Sequence, residues 1–110
     1  MASAAVQEIF AAIADPTRRR LLERIGTKEV SVADLTAGAG MTMAAVSLHL
    51  QVLRRAGLVH RRIAGRQRLY RLDPLPLRSV SDWTEKLTGF WNRRLDRLQR
   101  LAEEHDAEAE

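Results

Sequence analysis

The chain has no cysteine, which excludes disulfides and thiolate metal sites alike. No apolar run approaches the ~18 residues that span a bilayer. Catalytic constellations are missing too. No carboxylates are paired at a useful spacing, and Gly38-Ala39-Gly40 lacks the spacing and preceding strand of a dinucleotide fingerprint. Ser47 and His49 are two apart on a helix and do not face each other. The histidines, His49, His60 and His105, have no spacing that suggests a shared metal site. These absences argue against an enzyme and against a metal or other cofactor.

One further absence is local. Between Asp34 and Asp73 there is no acidic residue, yet Arg54, Arg55, Arg61, Arg62, Arg66, Arg68 and Arg71 all fall there. The net charge of +4 understates this. Acids gather in the last ten residues, so the first hundred carry eighteen cations against nine acids, a net +9. A basic stretch without carboxylates suits a polyanion. At 110 residues, 45% hydrophobic and 29% charged, the chain matches one globular domain. The expected division is a single domain over 1–104 and an acidic, frayed tail over 105–110.

Periodicity sets out the elements. Val6, Ile9, Phe10 and Ile13 mark one face of a helix. The segment from Met1 to Ala14 reads as amphipathic, not as a signal peptide, because it lacks a basic start. Asp15-Pro16 caps and opens a second helix to about Ile25, with Leu21, Leu22 and Ile25 inward and Arg18, Arg19 and Arg20 outside. Ser31 caps a short helix over Val32 to Ala37. After the glycine turn, Thr42 caps a helix to about Ala56, completing a helix-turn-helix. Alternating residues from Leu58 to Leu72 around Gly65 predict a β-hairpin. From Leu75 to about Glu104 a helix carries Val80, Trp83, Leu87, Phe90, Trp91, Leu95, Leu98 and Leu101 on one stripe. The expected fold is mainly α with a β-hairpin, a winged helix-turn-helix in the order α-α-α-α-β-β-α.

On the helix from Thr42, the core face is Met43, Val46, Leu50 and Leu53. At about 100° per residue the opposite face is Ala44, Leu48, Gln51 and Arg55. Ala45 and Ser47 flank it, and His49 sits at the core boundary, where it reaches either a phosphate or a protein partner. Small outward residues allow close approach to a major groove. Gln51 is suited to adenine, and Ser47 to a base or a phosphate. Leu48 either touches a thymine methyl or is a tolerated exposed leucine. On the hairpin, Arg66 at the tip with Arg61, Arg62 and Arg68 forms a basic wing suited to phosphates or a minor groove. Tyr70 reads as core. The expected DNA-binding set is therefore Thr42, Ala44, Ala45, Ser47, Leu48, His49, Gln51, Arg55, Arg62, Arg66 and Arg68, and the partner is double-stranded DNA.

The run ADPTRRRLLERI, then Ser47-x-His49-Leu50-x-x-Leu53-x-x-Ala56-Gly57-Leu58-Val59, then Gly65-Arg66 and Tyr70-x-Leu72, resembles the ArsR/SmtB family of winged helix-turn-helix repressors. The resemblance covers roughly residues 5 to 100. It implies a homodimeric repressor on a pseudo-palindromic operator, with the first and last helices at the interface; a cytoplasmic location is expected from the lack of cysteine. The expected interface is Val6, Phe10, Val80, Trp83, Leu87, Phe90, Trp91, Leu95 and Leu98. Metal-sensing members carry a Cys-x-Cys-type motif where this chain has Val32 to Ala37, and another family site needs histidines that the terminal helix lacks apart from His105. The chain thus resembles the metal-independent, autorepressor-like branch, which shares the Asp-Pro-Thr-Arg-Arg start and a tryptophan-bearing terminal helix. Members usually carry a polar or charged residue where Leu48 stands. Two alternatives stay open: a winged-helix module that docks another protein, and a repressor released by an apolar ligand near Phe10, Trp83, Phe90 and Trp91. No effector is specified, and no membrane partner is expected.

Overall fold

The computed structural model describes residues 3–109. Positions 1 and 2 of the expected first helix, and Glu110 of the expected tail, lie outside the described residues. The order is α1 (Ala4–Ile13), α2 (Pro16–Ile25), β1 (Glu29–Ser31), α3 (Val32–Thr36), α4 (Met43–Arg55), β2 (Val59–Ala64), β3 (Gln67–Leu72), a 3-10 turn (Leu75–Leu77) and α5 (Arg78–Ala109). The chain falls into two compact units, one ending at Arg78 and the other beginning at Ser79.

The first unit is built on an apolar core of Ile9, Leu21, Leu22, Ile25, Leu35, Val46, Leu50, Leu53, Leu58, Val59 and Tyr70. Its helix starts are capped as the sequence suggests. The Asp15 carboxylate accepts from the Thr17 and Arg18 amides at 2.7 and 3.2 Å, and Pro16 occupies the first turn. Ser31 accepts from the Asp34 amide, and Thr42 from the Ala45 amide. Each cap satisfies a donor that the helix start leaves open.

Two features depart from the expected fold. The hairpin gains a third strand. β1 pairs antiparallel with β3, matching Glu29 to Arg71 and Ser31 to Leu69, in the sheet order β1-β3-β2. Three residues are too short to show an alternation, so β1 exists only because β3 offers an edge to pair with. Met43, expected in the core, is 52% exposed. It opens α4 and lines an open hollow between α3 and the hairpin tip.

The arginines of α2 are not simply outside either. Arg18 donates to the carbonyls of Ala12 and Ala11 at 2.6 and 3.1 Å. Arg19 donates to those of Ile13 and Ala14 at 2.8 and 3.0 Å. Both close the orphan carbonyls at the end of α1. Arg24 does the same for α3, donating to Leu35, Asp34 and Ala37 at 2.5, 2.8 and 3.0 Å. Arg24 therefore braces the helix-turn-helix from behind. Arg24→Met is expected to destabilise the fold by about 2 kcal/mol, because three carbonyls lose a charged donor. Arg24→Lys should not restore it, since a point charge cannot span three acceptors. Urea denaturation of the three proteins measures this, and a lysine variant as stable as wild type would refute the brace.

The second unit is α5, 32 residues and so about 48 Å long. Thr84 and Thr88 bond back to the carbonyls four residues earlier. Phe90 meets Trp91 edge to face at 5.9 Å, and the Arg94 guanidinium lies 5.7 Å from the Trp91 ring. The stripe from Trp83 to Leu101 is 49–58% exposed throughout. α5 continues past Glu104 to Ala109. The Ala and Glu residues there favour helix intrinsically, although their negative charge opposes the dipole at a C-terminus.

Candidate nucleic-acid interface

α4 and the hairpin are brought together by two backbone devices. Between α3 and α4, Gly38 and Gly40 both take positive φ, 76° and 71°, which reverses the chain within a few residues. At the hairpin tip, Ala64 pairs with Gln67 across Gly65-Arg66. Gly65 has φ 61° and Arg66 does not share the sign. This is the two-residue turn whose first position demands glycine.

The register sorts the wing arginines by face. Arg61 lies opposite Tyr70, and Arg62 opposite Leu69, so consecutive arginines point to opposite sides of the sheet. Tyr70 is buried, and its side of the sheet is the one turned to α4. Arg61 and Arg68 line a groove of about 480 Å³ there, with Ala44, Ser47, Leu48, Gln51, Arg54 and Tyr70. A second hollow of about 410 Å³ continues toward the tip, lined by Ser31, Val32, Ala33, Met43, Ser47, Arg66, Gln67 and Arg68. The two share Ser47 and Arg68. Neither lining contains a carboxylate.

On the other face Arg62 and His60 have carboxylate partners. Arg62 forms a two-pronged ion pair with Glu29, one prong being Nε to Oε2 at 3.2 Å. Hydrogen bonding from Arg62 holds the Glu29 carboxyl below the usual carboxylate range. His60 Nε2 lies 2.8 Å from Asp73 Oδ2. That contact, then the Leu75 amide, lowers the Asp73 pKa. The wing is thus basic on the α4 side, whereas Arg62 behind it is paired with Glu29.

Of the expected DNA-binding residues, Ala44, Ser47, Leu48, Gln51, Arg66 and Arg68 line the groove. Thr42 is exposed at the start of α4, and Arg55 is exposed at its end but outside the lining. Ala45 is half-buried on the flank. His49 is half-buried and outside the groove lining. Arg62 lies on the back of the wing. Sequence reasoning left Arg54, Arg61 and Met43 out of the binding set. A signal for Arg61 was present in the hairpin itself. Once the Gly65-Arg66 turn sets the register, Arg61 falls opposite Tyr70 and shares its face.

Comparison with known proteins agrees with this geometry. A helix-turn-helix domain family matches residues 13–62. The chain is 40% identical over 84 residues to the HTH-type transcriptional regulator Rv2034 of Mycobacterium tuberculosis, covering 72% of this chain and 78% of that protein. It superposes on the crystal structure of an ArsR family transcriptional regulator with a TM-score of 0.72 at 28% identity, over 84% of this chain and 97% of the other. The chain belongs to the ArsR/SmtB family. A third similarity is to the homodimeric winged helix-turn-helix DNA-binding domain Mb0332 of Mycobacterium bovis, with a TM-score of 0.63, 24% identity and coverage of 77% and 79%.

As an ArsR/SmtB-family member the chain is a DNA-binding transcriptional regulator and not an enzyme. Within the ArsR/SmtB fold, α3 and α4 are the helix-turn-helix, α4 is the recognition helix, and β2–β3 is the wing.

Proposed function

We propose that the protein is a homodimeric repressor that binds a pseudo-palindromic double-stranded operator in the cytoplasm, without a metal effector. The observation that carries this reading is the carboxylate-free groove between α4 and the wing, with Arg54, Arg61, Arg66 and Arg68 around small residues of the helix. α4 enters the major groove through Thr42, Ala44, Ser47, Leu48 and Gln51, and the arginines hold the phosphates on either side.

α5 supports the reading as a dimer. Its half-exposed apolar stripe, Trp83 to Leu101, is long enough to supply a dimer contact. A second copy also provides the second recognition helix that a pseudo-palindrome needs. The related Mycobacterium bovis domain is itself homodimeric. Metal independence rests on α3, whose residues Val-Ala-Asp-Leu-Thr offer no thiolate.

The test is an anisotropy titration at about 150 mM salt. It compares a duplex from the upstream region of the protein's own gene with a shuffled duplex of equal length. The native duplex should bind about 10³-fold or more tightly, at two protomers per site. Equal, weak binding to both, repeated with duplexes selected from a random library, would overturn the proposal.

A further inference from the structure

The recognition helix is unusual in what it presents. From Met43 to Leu53 it carries no charged side chain. Arginine or lysine bonded to guanine is the commonest specific base contact, and here the helix offers one only in its last turn, at Arg54 and Arg55. The side chains aimed into the groove ahead of that turn are Ala44, Ser47, Leu48 and Gln51.

Leu48 stands out among them. It is 64% exposed, flanked by Ala44 one turn before and Gln51 one turn after, and faces the arginines of the wing across the groove. A large apolar side chain there gains nothing from water and nothing from phosphates. The major groove holds one apolar group, the C5-methyl of thymine. Gln51 carries the complementary chemistry, since its amide fits the N6 and N7 edge of adenine. The two are three positions apart, about 4.5 Å along the helix. The alanine at position 44 keeps the backbone near enough for a leucine to touch a methyl.

We infer that Leu48 is a specificity-determining residue that reads a thymine C5-methyl in each half-site, beside adenine recognition by Gln51. This rests on the DNA-binding reading above and adds the chemistry that the helix selects. The operator core under α4 is one A·T pair, read through its thymine methyl and its adenine edge, and guanine is not selected there.

The test uses the full-length protein and a duplex recovered by selection from a random library. Thymines are replaced by uracil one symmetric pair at a time, which deletes the methyl and nothing else. Burying one methyl is worth about 0.8 kcal/mol, or fourfold, so at one symmetric pair wild type should lose about fifteenfold across both half-sites. Leu48→Ala, at an exposed position, should bind thymine and uracil duplexes equally. A 5-methylcytosine·guanine pair at that position should bind more weakly than thymine·adenine, because the adenine edge is gone.

Four results would overturn the inference. If wild type prefers the selected duplex to a shuffled one yet ignores uracil at every position, Leu48 reads no methyl, while the DNA-binding reading stands. If uracil still weakens Leu48→Ala by the same factor, the methyl acts through DNA shape. If the methylcytosine pair binds as tightly as thymine, the methyl is read without adenine. If no duplex is preferred over its shuffled control, this inference and the DNA-binding reading fall together.

Discussion

Alanine at both Arg61 and Arg68 is expected to weaken operator binding by roughly 10²–10³ at 0.15 M salt, while Arg62→Ala changes it by no more than about threefold. The three arginines sit within eight residues on one hairpin, so composition does not separate them. The register does. Arg61 and Arg68 line the groove beside α4, and Arg62 lies behind it in a two-pronged contact with Glu29. A phosphate contact releases about 0.9 counterion, which at 0.15 M salt amounts to about fivefold in affinity. Two arginines in each of two protomers make four contacts, and four such factors multiply to roughly 600. The slope of log affinity against log salt should also flatten by about 3.6. Anisotropy titrations between 50 and 200 mM salt read both quantities. If Arg62→Ala costs as much as the double variant, the assignment of wing faces is wrong.

Leu95→Glu is expected to turn the dimer into a monomer and to lower operator affinity by about 10²–10⁴. Leu95 lies within the α5 stripe and is as exposed as its neighbours there, so the substitution leaves the core of the first unit untouched. In the dimer the same position would bury a carboxylate against apolar side chains, at a cost of several kcal/mol unless it is paired. Losing the dimer removes the gain from tethering a second recognition helix, typically 10²–10⁴. Light scattering on an eluting column at micromolar concentration measures the mass. Circular dichroism checks that helix content is kept. A variant that remains dimeric would show that the stripe serves another partner, which is the protein-docking alternative.

Much of the architecture is legible in the residues because its signals are local. Val6, Ile9, Phe10 and Ile13 repeat with the helical period, Asp15-Pro16 and Thr42 mark helix starts, and Gly65 marks the hairpin turn. The outward face of α4, with Leu48 fully in view, also follows from about 100° per residue. Each of these depends on residues within one or two turns of each other.

What the residues do not show depends on partners distant in the chain. β1 has no periodicity of its own and forms because β3 presents an edge. Arg62 reads as one of the wing's basic residues, and only the fold sets Glu29, 33 positions earlier, against it. Arg18, Arg19 and Arg20 read as an outside cluster on α2, yet the Arg18 and Arg19 guanidiniums close the carbonyl end of α1, and Arg24 closes that of α3. A charge count cannot tell a cation facing solvent from one already bonded to backbone. The sequence by itself determined the order of elements, the reading face of α4 and the excess of positive charge, because hydrophobic period and turn chemistry act over a few residues. Only the tertiary structure decided which arginines remain available to a phosphate, because that choice is made by carbonyls and carboxylates that folding brings within about 3 Å.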